Sequence, residues 1–172
     1  MADVIVLCLV VVCATTDVLK GKIYNAVTYP AIGIGIILAG LSKAEPTLMG
    51  SLLGLVIGFL PLFIVFVLGG MGGGDVKLMA AIGAVKGYPF VVYAMFYSGL
   101  VGGLLAIITM IWRGVFFKSM HNILRTMVTS VIPGFKTVPL DPKDSYPIHF
   151  GFAICMGTMW VLVENMIGVR LF

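Results

Sequence analysis

Charge is what this sequence has least of. Only 10% of its 172 residues are Asp, Glu, Lys or Arg, and there are two histidines; an ordinary soluble domain carries about 25% charged residues. With 60% apolar residues and a mean hydropathy of +1.15, the composition excludes a soluble domain and identifies an integral membrane protein whose surroundings are the lipid bilayer. Cysteine is scarce too. Cys8 and Cys13 fall in the first apolar segment and Cys155 in the last, with no CxxC or Cys/His cluster. That pattern supports no metal site and no cofactor, and it predicts core packing for the three thiols. The opening Met1-Ala2-Asp3-Val4 lacks the basic n-region of a cleavable signal peptide, and no small-residue cleavage site follows, so the first segment is expected to remain a membrane helix. The net charge of +4 is scattered among loops. It reads as an orientation signal and not as a nucleic-acid surface.

Six apolar stretches are present, near residues 3–17, 26–41, 48–68, 75–87, 89–112 and 148–168. The fourth and first are short against the ~20 residues needed to cross the hydrocarbon core, and each is bounded by an aspartate, Asp75 and Asp17. Lysines and arginines are retained on the cytoplasmic side. Lys20, Lys22, Lys77, Arg113, Lys118, Arg125, Lys136 and Lys143 fall in one set of alternating loops, and Lys43, Lys86 and Arg170 in the other, eight against three. The expected topology has the N-terminus outside and the larger set inside. Parity adds a result that does not depend on orientation. Asp17 lies at the exit of the first crossing and Asp75 at the entrance of the fourth, so both carboxylates face the same side, by the charge count the cytoplasm.

Between residues 113 and 147 lies the longest polar region. Phe116, Phe117, Met120, Ile123, Leu124, Met127, Val128 and Val131 recur there at three- and four-residue spacing, which predicts an amphipathic helix on the cytosolic membrane surface. Gly50, Gly54 and Gly58, and Gly99 with Gly102 and Gly103, have the small-residue spacing that lets membrane helices approach closely. The expected fold is an all-α polytopic membrane protein with six transmembrane helices plus one cytosolic-surface amphipathic helix, a single membrane-embedded domain over residues 1–172.

The chemistry rests on the two acids. An ionisable carboxylate at membrane depth costs several kcal/mol and marks a functional site. Asp75 follows the run Gly69-Gly70-Met71-Gly72-Gly73-Gly74 and precedes a helical sequence, a position that suits a simple helix N-cap. Three consecutive glycines cost backbone entropy, however, and irregular backbone inside a membrane protein is tolerated where it lines a protein-enclosed or wet cavity. Asp17 stands in Thr15-Thr16-Asp17-Val18-Leu19-Lys20-Gly21-Lys22-Ile23-Tyr24-Asn25, and by itself reads equally as an interfacial acid offset by Lys20 and Lys22. Two carboxylates a few ångströms apart do not both ionise easily. The charged one can take a proton from water while the protonated one polarises a peptide carbonyl, which is aspartic proteolysis. Lys20 and Lys77 can tune that charge or meet acidic groups on a substrate.

These residues resemble the type IV prepilin peptidases, the GxGD class of membrane aspartic proteases, and among them the short form found with tight-adherence (Flp) pili. The resemblance rests on Asp17 followed by basic residues and Asn25, and on Gly70-Met71-Gly72-Gly73-Gly74-Asp75-Val76-Lys77-Leu78, with a weaker echo at Pro147 and Phe150-Gly151-Phe152-Ala153-Ile154. It implies cleavage of prepilin leaders at the cytoplasmic face of the inner membrane, with Asp17 and Asp75 catalytic and Gly72, Gly73, Gly74, Lys20, Lys77 and Asn25 shaping the site or meeting substrate. Tyr24 stands where the family usually has proline. Longer members carry a cysteine-bearing cytosolic region linked to N-methylation, which this sequence lacks, so methyl transfer is not expected. A protease of the signal-peptide-peptidase type, a proton-coupled transporter and a non-enzymatic scaffold are the alternative readings. The first is disfavoured for want of a Pro-Ala-Leu element and the transporter for want of inverted repeats.

Overall fold

The computed structural model describes residues 2–41, 46–112, 114 and 150–168, and these are helical apart from short connections. Six helices follow one another: α1 (Ala2–Lys20), α2 (Asn25–Leu41), α3 (Leu48–Val67), α4 (Gly73–Lys86), α5 (Tyr88–Trp112) and α6 (Phe150–Ile167). Residues 1–102 and 149–172 form one compact unit, which carries the features below, and residues 103–148 form a second. Among the described residues four helices, α1, α3, α5 and α6, are long and apolar enough to cross a membrane. The expected surface helix over residues 116–131 lies outside the described residues.

Helix α1 shows how a membrane helix builds a core. Val6, Leu9, Val10, Cys13, Ala14 and Asp17 are buried and recur at the three- and four-residue spacing of one helical face. Val4, Leu7, Val11, Val12, Val18 and Leu19 are exposed on the other faces. A helix apolar all round has no polar face to give to water, and its outward face is suited to lipid. The same phase corrects one expectation: Cys13 and Cys155 are buried, but Cys8 is exposed, because it lies off the buried stripe.

Helix α4 is the centre of the bundle. It packs against α1, α2, α3 and α6, and Asp75, Val76 and residues 78–85 are all buried. At about 1.5 Å per residue, its 14 residues span roughly 21 Å, less than the ~30 Å hydrocarbon core. Small residues bring its neighbours in. A Cβ on Gly35 of α2 would stand 2.8 Å from the carbonyl carbon of Ala84, and one on Gly58 of α3 would stand 2.7 Å from the Met79 carbonyl oxygen. Gly54 and Gly83 meet backbone to backbone. Ser51 of α3 donates to the Ala84 carbonyl at 2.6 Å, so the seam is hydrogen-bonded as well as close-packed.

The expected glycine packing therefore holds at Gly54 and Gly58, and at Gly102, which sits under the Phe150 ring. At Gly50 a Cβ would meet the local Thr47 and Pro46, while the Gly50 carbonyl oxygen lies 3.5 Å from where a Gly87 Cβ would stand. At Gly99 and Gly103 a Cβ would meet nothing within 4 Å among the described residues.

The opposite end of the α1–α4 pair from the aspartates is fixed by charge. Lys86 Nζ, in the last turn of α4, lies 2.7 Å from Asp3 Oδ1 in the first turn of α1. The two helices are thus antiparallel.

Candidate active site

The C-terminal end of α1, the N-terminal end of α4 and the N-terminal end of α6 converge. Helix α1 does not stop at Asp17 but continues to Lys20, and Gly21, with φ +60°, donates its N–H to the Asp17 carbonyl at 2.7 Å. That is a left-handed glycine cap. It places Asp17 one turn inside the helix, at the end of the buried stripe, with 8% of its surface exposed.

The glycine run divides into two caps. Gly69 has φ +78°; its N–H donates to Phe66 O and that of Gly70 to Val65 O, both at 2.9 Å. This paired pattern is a Schellman motif ending α3, and the left-handed backbone it needs is why glycine stands at 69. Gly72 is then the N-cap of α4, with extended backbone. The irregular chain is confined to residues 68–72, since Gly73 and Gly74 are already helical.

Asp75 accordingly is not the N-cap that the sequence suggested. It lies three residues past the cap and donates its own N–H to Gly72 O at 3.1 Å, and its carboxylate reaches back toward Gly72, where a Cβ would stand 3.1 Å from Oδ2. A side chain reaching back from the third helical position to the cap residue is one half of a capping box. Helix α4 thereby fixes the Asp75 carboxylate at its own entrance with 7% of its surface exposed.

The remaining wall is supplied by α6. Gly151 N–H donates to Asp17 Oδ2 at 3.0 Å, and a Cβ at Gly151 would stand 2.8 Å from that oxygen. Asp17 in turn lies near enough to Asp75 for the two carboxylates to interact electrostatically. The structure therefore brings the two acids to one end of the bundle, both buried, with Asp17 held by the Gly151 N–H. Sequence reasoning did not place Gly151 in the site, although the Phe150-Gly151 echo was its signal.

The other expected residues form a rim. Gly74 lets the α1–α2 connection close over the site, since a Cβ there would stand 2.9 Å from Ile23 Cβ. Gly73 faces the Phe66 ring, and a Cβ at Gly72 would stand 3.1 Å from Asp75 Oδ2. Lys77 donates to Asn25 Oδ1 at 3.0 Å and stands 5.3 Å from the Tyr29 ring centroid, so two residues from separate motifs bond to each other across α4 and α2. Lys20 is exposed and lies over the Tyr24 ring at 5.5 Å. The Tyr24 carbonyl opens α2, accepting from Val27 at 3.1 Å and Thr28 at 3.4 Å, so the turn forms without proline. At the far end, Glu164 accepts from Tyr97 at 3.0 Å and from Trp160 at 2.8 Å, away from the dyad. Among the described residues no cluster of three His, Cys, Asp or Glu side chains could hold a metal ion.

The chain is 32% identical over 104 residues to a Bacillus subtilis (strain 168) protein named prepilin leader peptidase/N-methyltransferase; the match covers 59% of this chain and 41% of that protein. No solved structure matches the chain. The family model described as the type IV leader peptidase family matches residues 4–107, a span that holds both aspartates and the whole glycine run. On that match, covering more than half its length, the chain belongs to the type IV leader peptidase family.

Proposed function

We propose that this protein is a prepilin leader peptidase: an aspartic endopeptidase that hydrolyses the leader of type IV, Flp-like prepilins with Asp17 and Asp75 and a water molecule. The observation that carries the reading is the juxtaposition of two buried carboxylates from helices far apart in sequence, inside the segment that matches the family. Two such acids share one proton at rest. The ionised member takes a proton from water, and the water oxygen bonds to the scissile carbonyl carbon. The protonated member gives its proton to the carbonyl oxygen, so the adduct is a neutral gem-diol. Collapse of the adduct breaks the C–N bond, the proton taken from water passes to the leaving amine, and one hydroxyl proton of the adduct returns to the carboxylate that gave it, which restores both acids. No side-chain nucleophile is needed. Gly72 opens α4, Gly73 and Gly74 keep its first turn free of side chains beside Phe66 and Ile23, and the Lys77–Asn25 bond braces the entrance.

The reading includes a topology. All six helices cross the inner membrane as one domain, with the N-terminus outside and the site facing the cytoplasm; the distribution of basic loops supports this orientation. Helix α4 crosses despite its length because α1, α2, α3 and α6 pack around it, so protein and not lipid meets its ends. Incubating membranes that contain the protein with a candidate prepilin, then weighing the products, tests the activity. A shortened pilin and a free leader, with the new terminus unmethylated, is the expected result. An intact precursor across several prepilins would move the transporter and scaffold readings ahead. A methylated terminus would show a second activity.

A further inference from the structure

The third helix at the site is not part of the two-aspartate reading. The first four N–H groups of any α-helix lack intrahelical acceptors. Gly151 is the second residue of α6, so its N–H is such an orphan, and the partner it finds is Asp17 Oδ2 at 3.0 Å, 134 residues away in the chain. The contact is steric as well as polar. A Cβ at position 151 would stand 2.8 Å from Oδ2 and 3.0 Å from both Cβ and Cγ of Asp17. Every other L residue would press on three atoms of the same side chain at once. Those atoms are not the loose end of a flexible chain: Asp17 is buried, and α1 is packed along α6.

The position of α6 is itself fixed from the side. Phe150 closes over Gly102 of α5, and Gly157, two turns on, meets the Ser98 backbone. The Gly151 N–H is thus presented by a helix entrance that cannot drift, and the helix dipole there favours a negative charge. A fixed donor aimed at one carboxylate oxygen is what pre-organised catalysis requires of a supporting group.

We infer that Gly151 is a positioning residue for Asp17: its N–H and its missing side chain together hold the Asp17 carboxylate at the angle from which it meets Asp75 and the water. The inference rests on the peptidase reading above, and it adds α6 to the catalytic assembly. Gly151 does not touch substrate in this scheme; it acts through Asp17.

Two variants test it, assayed on purified full-length protein in detergent with a prepilin that the wild type cuts. Gly151→Ala keeps the N–H and adds the obstructing methyl. Replacing Gly151 by the corresponding hydroxy acid, so that the amide becomes an ester, removes the N–H and adds no bulk. The ester variant is expected to lose about ten- to a hundredfold in kcat, the range for a hydrogen bond to a charged group, with KM within twofold of wild type. Gly151→Ala is expected to show the same split with an equal or larger loss. A wild-type kcat in the ester variant, or an equal change in KM and kcat, would overturn the inference. Should Gly151→Ala fail to fold, the isosteric ester decides alone. If the wild type cuts no prepilin, the peptidase reading fails first and this inference with it; if the wild type cuts and the ester variant cuts equally well, only the positioning role is lost.

Discussion

Substituting Gly83 by alanine puts a methyl where there is no room for one. A Cβ at Gly83 meets the Gly54 carbonyl carbon at 2.5 Å and Leu55 N at 3.1 Å, and Gly54 O more closely still. All three are backbone atoms, so no side chain can swing aside, and α3 and α4 have to separate. Helix propensity works the other way, since Gly→Ala in a helix interior gains about 1 kcal/mol. Overpacking a close seam costs about 1–3 kcal/mol, and with backbone as the obstacle the upper part of that range applies. The net expectation is a loss of about 1–2 kcal/mol. Gly99→Ala is the matched control: Gly99 is also helical, with nothing within 4 Å, so propensity acts unopposed and stability should hold or rise slightly. Denaturant unfolding of both variants and the wild type in the same micelles measures the difference. Equal stability of the two variants, or a more stable Gly83→Ala protein, would refute the reasoning. Because Asp75 lies two turns from Gly83 on the same helix, Gly83→Ala should also lower cleavage, and Gly99→Ala should not.

Other expectations follow from single contacts. Gly69→Ala should cost about 1–2 kcal/mol, because the left-handed backbone at φ +78° is unfavourable to a residue with a Cβ, and Gly69→Asn should cost less; the same unfolding assay ranks them. A lipophilic thiol reagent should modify Cys8 in the folded protein and leave Cys13 and Cys155 until it unfolds, since only Cys8 is exposed; mass spectrometry of peptides reads the order. Removing the Lys86–Asp3 pair by Asp3→Asn should change stability by about 1 kcal/mol or less, because the Asp3 side chain is 53% exposed although Lys86 is only 13% exposed and a pair open on one side is weak; a larger loss would mean that the burial of Lys86 governs the pair. Lys77→Met and Asn25→Ala should each weaken cleavage modestly and, combined, do no more than either alone, because they break the same bond; additive losses would separate them.

Much of the site was legible because it obeys periodicity. Asp17 extends the series Val6, Leu9, Val10, Cys13 by one more turn, so the stripe that makes the core also delivers the acid to it. Parity alone put Asp17 and Asp75 at one end, and the Asp3–Lys86 pair at the other end is its counterpart. What the sequence concealed lies where periodicity says nothing. A run of glycines does not say which of them ends one helix and which begins the next. Gly69 and Gly70 turned out to close α3, and Gly72 to open α4, which shifts Asp75 from the cap to the first turn. Gly151 left only a faint trace, the Phe150-Gly151 echo, which named no role for it. Its value lies in a contact with Asp17 across almost the whole chain, and nothing local distinguishes a glycine that clears space for a distant carboxylate from one that merely starts a helix. Gly99 and Gly103 show the converse, having the right spacing and nothing within 4 Å of a Cβ among the described residues.

Cleavage of one prepilin by wild type, Asp17→Asn and Asp75→Asn proteins, each shown to be folded, tests the shared-site account most directly. Each substitution keeps the size of the side chain and removes its charge. The account predicts that the wild type releases the leader and that each variant alone abolishes release, the double variant being no worse than either single one. Continued cleavage by either single variant would contradict the claim that the two carboxylates work as one site.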